Sequence, residues 1–67
     1  MNLRERLGHN VRQFRRRRGL SQEDLALEAG LDRTYVSGVE RGIRNPTLMV
    51  LEKLAGALRV RPADLIS

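Results

Sequence analysis

The sequence predicts a small all-α fold of five short helices. Apolar residues recur at the three- and four-residue spacings of a helix face, and no segment shows the apolar–polar alternation of a half-buried strand. Glycine and proline interrupt this pattern at short intervals, so the helices are short and closely connected. With 67 residues, of which 40% are hydrophobic and 31% charged, the composition is that of a globular protein, and we expect a single domain over residues 1–67.

The first helix is indicated by one apolar stripe. Four apolar residues recur at spacings of four, four and three: Leu3, Leu7, Val11 and Phe14. They predict a helix over residues 2–18, and Gly19 supplies the left-handed residue that commonly ends a helix.

The second and third helices are delimited by capping residues. Ser21 followed by Asp24 predicts a capping box with aspartate in place of the usual glutamate, and Gly30 ends the second helix. Asp32 is the next N-cap, and the third helix ends at Gly42. The predicted inward-facing residues are Leu25, Ala26, Ala29, Val36 and Val39.

The last two helices are placed by proline. Asn45 and Pro46 are typical of an N-cap and a first helical position, which predicts that the fourth helix begins there. Pro62 opens a final helical turn that ends at Ile66. The predicted inward positions of the fourth helix are Leu48, Leu51, Leu54, Ala55 and Leu58.

The charge favours an anionic partner. Thirteen Lys and Arg against eight Asp and Glu give a net charge of +5, and twelve of the thirteen are arginine. The planar guanidinium matches phosphate groups and guanine edges, so nucleic acid is the leading partner. An anionic membrane surface is second, but glycines at positions 19, 30 and 42 interrupt the long amphipathic helix that it would require.

Catalytic and metal chemistry is poorly supported. The chain has no cysteine, and its single histidine, His9, has no partner at ligand spacing and is interpreted as a surface residue. There is no phosphate-binding loop and no carboxylate pair beside a base, so we expect no enzyme, metal, cofactor or small-molecule ligand. No apolar run approaches the roughly 20 residues of a membrane span, which favours a cytoplasmic, nucleoid-associated protein with no membrane partner.

Residues 22–41 carry the most specific pattern. Two short helices flank Gly30, and Ala26 is small enough to let them cross closely. This arrangement predicts a helix-turn-helix over about residues 22–41. With that pattern in register, the chain resembles the lambda-repressor and Cro (Xre-like) helix-turn-helix family, including small phage repressors and restriction-modification controllers. The resemblance is carried by RRRRGLSQ (15–22), EDLALEAGL (23–31), YVSGVERG (35–42) and RNPTLMVLEKLAGAL (44–58).

The resemblance implies a transcription regulator that binds a pseudo-palindromic DNA operator as a homodimer, with the third helix in the major groove. The residues that it implies to contact bases are Arg33, Thr34, Ser37 and Gly38. Those that it implies to contact the DNA backbone are Gln22, Tyr35, Arg41, Gly42, Arg44, Asn45 and Arg18. Tyr35 is equally interpreted as a half-buried packing residue. Only one or two of the four successive arginines at 15–18 can face DNA.

Two further groups have structural roles in this interpretation. The resemblance implies a partly buried ion pair between Arg15 and Glu40. Apolar residues beyond the needs of one small core predict a dimer interface formed by Val60, Leu65, Ile66 and Val50. Core packing is the alternative for Val50 and Leu65.

The sequence departs from the family pattern at four positions: Gly38, Ile43, Arg59 and Arg61. Gly38 lies in mid-helix, where glycine is about 1 kcal/mol less favourable for helix stability than alanine. Ile43 stands where a basic residue is usual, while Arg59 and Arg61 replace a glycine and a capping serine around the last turn.

An alternative function is a protein-interaction module of the same fold, such as an antitoxin or adaptor. RNA polymerase is a further candidate partner of a regulator.

Overall fold

The computed structural model describes residues 1–67 as five α-helices without strands, as the sequence predicts. The helices are α1 (Leu3–Arg17), α2 (Gln22–Ala29), α3 (Arg33–Glu40), α4 (Leu48–Leu58) and α5 (Pro62–Leu65). None of the five has both the length and the hydropathy to cross a membrane.

Local side-chain hydrogen bonds begin the first three helices. In α1, the Asn2 Oδ1 atom accepts from the Glu5 amide at 2.8 Å, and the Glu5 carboxylate accepts from the Asn2 amide at 3.0 Å. Ser21 and Asp24 form the same reciprocal pair at 3.0 and 3.1 Å, which confirms the predicted capping box of α2. Asp32 Oδ1 accepts from the Thr34 amide at 2.8 Å and confirms the predicted start of α3.

The fourth helix begins later than predicted. Its N-cap is Thr47, whose hydroxyl accepts from the Val50 amide at 3.2 Å, and residues 43–47 are not helical. The prediction from Asn45 and Pro46 is therefore wrong by two residues. The reason is that Thr47 is a second competent cap within the same segment.

The first four helices end in the same hydrogen-bonded turn. In α1 the Gly19 amide donates to Arg16 O at 3.0 Å and the Leu20 amide to Arg15 O at 3.1 Å, the pattern of a Schellman motif. The left-handed residue of each turn, with its φ angle, is Gly19 (68°), Gly30 (69°), Gly42 (76°) and Arg59 (60°). Arg59 therefore adopts a backbone conformation that disfavours any residue with a Cβ atom.

The core lies where α1, α2, α3 and α4 meet, with α5 closing one end against α1 and α4. Its twelve apolar residues are Leu7, Val11, Leu25, Ala26, Ala29, Val36, Val39, Leu54, Ala55, Ala57, Leu58 and Leu65. Two residues expected to face inward do not, because Leu3 is 59% exposed and Leu48 is 80% exposed. Both lie in the first turn of a helix, beyond the reach of the core.

The backbones of α1 and α3 approach closely at Gly8. A Cβ atom at this position would lie 2.5 Å from Val39 O and 2.6 Å from Glu40 O. Only glycine permits this crossing, so Gly8 determines how near α3 lies to α1.

Candidate nucleic-acid interface

The first turn of α3 begins with exposed residues. Arg33 and Thr34 are exposed there, and Arg33 has no hydrogen bond or ion pair to any other side chain of the chain. Asp32 accepts hydrogen bonds from both the amide and the hydroxyl of Thr34. Ser37, one turn further along the same helix, is half-buried. The structure thus brings together an unpaired guanidinium and an oriented threonine.

A polar depression of about 430 Å³ joins the start of α3 to the start of α2. It is lined by Arg15, Ser21, Gln22, Glu23 and Arg33. Gln22 and Arg33 therefore border one surface, although the Gln22 amide is bonded to Glu40 at 3.1 Å and not to Arg33. Gln22 makes no hydrogen bond to Arg33, because its amide group donates to the buried carboxylate instead.

A buried carboxylate beneath this depression connects three helices. The Glu40 side chain is fully buried, and Arg15 donates to its two oxygens at 2.6 and 3.0 Å. Gln22 donates at 3.1 Å and Arg12 at 3.4 Å. The structure therefore contains the ion pair between Arg15 and Glu40 that the resemblance implies, with donors from α1 and α2 converging on the last residue of α3.

These donors keep Glu40 charged. Burial by itself raises the pKa of the carboxyl group. The hydrogen bonds from Arg15 and Gln22, the charge of Arg15 and the hydrogen bond from Arg12 outweigh burial and lower the pKa below its ordinary value. The same pairing raises the pKa of Arg15. Glu40 is thus an ionised anchor for α3 at neutral pH.

The loop after α3 returns toward the outer face of that helix. The left-handed Gly42 and the hydrogen bond from the Ile43 amide to Gly38 O at 3.1 Å reverse the chain. The Arg44 guanidinium then lies over the Tyr35 ring, 5.6 Å from its centroid. Arg41, Arg44 and Asn45 are exposed along this loop, while Tyr35 is half-buried against the core.

Two of the residues expected to contact DNA make contacts within the chain instead of standing free. Arg18 donates to the Glu28 carboxylate at 3.2 Å and to the carbonyl oxygen of Ala57, so its guanidinium connects α2 to the end of α4. Gly38 is buried, because the Arg44 side chain covers it. Gly38 thus presents no free surface and the Arg18 side chain is 23% exposed, whereas Arg16 and Arg17 are exposed.

An apolar groove on another face involves α4 and α5. It measures about 470 Å³ and is lined by Leu48, Leu51, Glu52, Pro62, Ala63 and Ile66. Ile66 is 40% exposed there, whereas Val50 and Val60 are half-buried against the core. Leu65 is fully buried within the chain, so its expected place in a dimer interface is wrong. Sequence reasoning missed Leu48 as a surface residue, since its spacing matches the core stripe.

No cluster of three or more potential metal ligands is present. The features that remain are an exposed helical turn with an unpaired arginine, a basic loop beside it, and a buried anchor behind it. In combination with the helix-turn-helix geometry, they match a surface that reads a DNA groove.

Comparison with known proteins agrees with this geometry. A helix-turn-helix family model matches residues 11–65. The control protein C.BamHI of Bacillus amyloliquefaciens is 48% identical over 66 residues, which are 97% of this chain and 82% of that protein. The crystal structure of the restriction-modification controller protein C.AhdI from Aeromonas hydrophila has a TM-score of 0.90 and 50% identity, covering 92% of this chain and 94% of that chain.

A second similar structure contains DNA. It is the tetramer of the restriction-modification controller protein C.Esp1396I in complex with its natural 35 base-pair operator, with a TM-score of 0.87 and 37% identity over 97% of this chain and 86% of that chain. The family match covers most of the chain, and the similarities in sequence and structure cover nearly all of it. The chain therefore belongs to the helix-turn-helix family of DNA-binding transcriptional regulators.

Proposed function

We propose that this protein binds a pseudo-palindromic operator as a homodimer, with α3 of each copy in the major groove. The observation that carries the proposal is the exposed first turn of α3, where Arg33 is unpaired while Glu40 fixes the other end of the helix. A rigid helix with a free guanidinium at its exposed end suits bidentate recognition of guanine O6 and N7.

The proposed contacts divide between bases and backbone. Arg33 reads a guanine, and Thr34 and Ser37 contact neighbouring base edges or phosphates. The backbone contacts come from Gln22, Tyr35, Arg41, Arg44 and Asn45. The Gly42 amide is not among them, because it already donates to Val39 O at 3.1 Å. Asp32 supports this arrangement because it holds Thr34 in one orientation.

The apolar groove between α4 and α5 supports the homodimer. A twofold operator requires equivalent helices about 34 Å apart. One copy measures 26 × 22 × 21 Å, so this separation requires two bodies side by side. Leu48 and Ile66 are exposed apolar residues at the groove that a second copy would bury.

The similarity to two controller proteins favours a role as a restriction-modification controller over a phage or host repressor. In this role the protein acts in the cytoplasm on the nucleoid, as a single domain without catalytic activity, cofactor or small-molecule ligand. Its output depends on protein concentration and on the position of the operator relative to RNA polymerase.

The test begins with selection of bound sites from random duplex DNA, followed by affinity measurements on the selected site. Arg33→Ala should weaken binding about 10- to 100-fold and relax the preference at one base pair of each half-site. Lys53→Ala is the matched control, because it removes one exposed positive charge from α4. We expect the control to bind within about threefold of the wild type.

Salt dependence provides a second measurement. With six to ten phosphate contacts, affinity should fall about 1000-fold or more between 50 and 200 mM salt. Retention of wild-type selectivity by Arg33→Ala, or binding that does not respond to salt, contradicts the proposal. The first result would instead favour a protein-interaction module such as an antitoxin or adaptor.

A further inference from the structure

Gly38 and Tyr35 form a platform on α3 that is covered by the side chain of Arg44. A Cβ atom at Gly38 would lie 2.8 Å from Arg44 Cγ, 3.1 Å from its Nε and 3.5 Å from its Cδ. The Arg44 guanidinium continues over the Tyr35 ring at 5.6 Å from the centroid. The stem of the arginine therefore rests on the glycine and its charged end rests on the aromatic ring.

No acidic group holds Arg44 in this position. The four ion pairs of the chain involve Arg12, Arg15, Arg18 and Arg61, and no side-chain hydrogen bond involves Arg44. Its order depends on two interactions alone, namely packing on Gly38 and the cation–π contact with Tyr35. Because the guanidinium has no partner within the chain, all five of its N–H donors remain available to a ligand.

We infer that Gly38 is a positioning residue for operator recognition: its missing side chain lets the platform hold the Arg44 guanidinium beside the reading turn of α3. This inference rests on the proposed function. A mid-helix glycine disfavours folding by about 1 kcal/mol relative to alanine, and Gly38 adopts no left-handed conformation that would require it. The space that Arg44 occupies accounts for the glycine.

Gly38→Ala separates stability from recognition. The three atoms nearest to the new methyl group all belong to the exposed side chain of Arg44, and its Cγ atom at 2.8 Å is close enough that the stem of the arginine must shift. The helix gains about 1 kcal/mol of propensity, which offsets the cost of displacing the Arg44 stem, so the variant should remain folded with a resistance to urea close to that of the wild type. Arg44 loses its platform, and we expect operator affinity to fall about fivefold per half-site, because a long side chain must then be ordered on binding.

Arg44 can also be followed in the free protein. In the wild type, NMR should show ring-current shifts of the Arg44 side-chain protons caused by Tyr35. These shifts should disappear in Gly38→Ala and in Tyr35→Leu, which removes the ring but keeps an apolar residue. Gly56→Ala is the matched control, because it places the same methyl group in α4 with no atom within 4 Å. It should change neither the Arg44 resonances nor operator affinity.

A double-mutant cycle excludes a direct clash of the new methyl group with DNA. If Gly38 acts through Arg44, Gly38→Ala should have no further effect on affinity in the Arg44→Ala background. An undiminished loss in that background, or unchanged Arg44 resonances in Gly38→Ala, overturns the inference. Failure of the wild type to select any duplex would refute the proposed function instead, and the NMR comparison would still decide whether the platform holds Arg44.

Discussion

Replacing Glu40 with glutamine tests whether one buried carboxylate holds α3 against α1 and α2. Glutamine keeps the size of the side chain but removes its charge and one acceptor oxygen. The structure shows a fully buried carboxylate that accepts four hydrogen bonds, two of them from Arg15. Arg15 has 12% of its side chain exposed, so after the replacement water can hydrate its charge only partly.

The size of the effect follows from these contacts. Breaking a buried ion pair from one side typically reduces stability by about 3 to 5 kcal/mol. The lower value of this range applies here for two reasons. Arg15 keeps its hydrogen bond to Leu20 O at 2.9 Å, and the Arg12 side chain, which is 41% exposed, is hydrated by water once its contact with Glu40 is lost. We expect a loss of about 3 kcal/mol, a large part of the roughly 3 to 10 kcal/mol available to a chain of this length.

Urea denaturation at fixed protein concentration measures this loss, since dimerisation would otherwise change the apparent stability. In a thermal melt, the melting temperature should fall by about 12 to 24 °C. Arg12→Ala is the control for the exposed member of the cluster and should lower the free energy of unfolding by about 0.5 kcal/mol. The reasoning is refuted if Glu40→Gln is no more destabilising than Arg12→Ala.

Four further predictions follow from single residues. Pairing lowers the pKa of Glu40 below its ordinary 4.5, so the stabilisation by the ionised carboxylate should be complete above pH 4.5 and lost as the pH falls through the lower folded-state pKa. In urea denaturation between pH 2 and 6, Glu40→Gln should flatten this loss of stability at low pH. Gly8→Ala should destabilise the fold by about 3 kcal/mol because its methyl group meets the α3 backbone, whereas Gly56→Ala should stabilise it by about 1 kcal/mol; equal effects in thermal melts would contradict this. Arg59→Gly should raise stability by about 0.5 kcal/mol because it relieves a left-handed residue, and a measured decrease would count against strain at that turn. Leu48→Glu places a charge in the exposed apolar groove, so analytical sedimentation should show a shift toward monomer while the helical content is unchanged. An unchanged dimer would show that the groove is not part of the interface.

Local chemistry accounts for the parts of the fold that could be predicted. Ser21 and Asp24 bond to each other's amides three residues apart, and Asp32 accepts from the Thr34 amide two residues further on. Gly19 adopts a left-handed conformation directly after the helix that it ends. Such interactions depend on neighbours in the sequence, so they can be predicted without a tertiary model. Where two caps compete, as Asn45 and Thr47 do, local rules do not rank them, and the predicted start of α4 was wrong.

The candidate site was only partly predictable. Arg33 and Thr34 follow directly from an N-cap and an exposed first turn, so their position beside each other is a local property. The commitment of Arg18 to Glu28 and Ala57 is not local, because it joins residues 10 and 39 positions apart in the chain. Its removal from the expected DNA-contacting set therefore required the packed structure.

Local patterns in the chain are sufficient to predict that it is all-helical, where most of its helices end and which segment carries the helix-turn-helix. Packing between distant helices is needed to show that Gly8 brings α1 onto α3, that Leu65 is core while Leu48 is surface, and that Arg44 covers Gly38. The physical reason is range: capping and turn formation involve residues within one helical turn, whereas burial and contact depend on how distant helices cross.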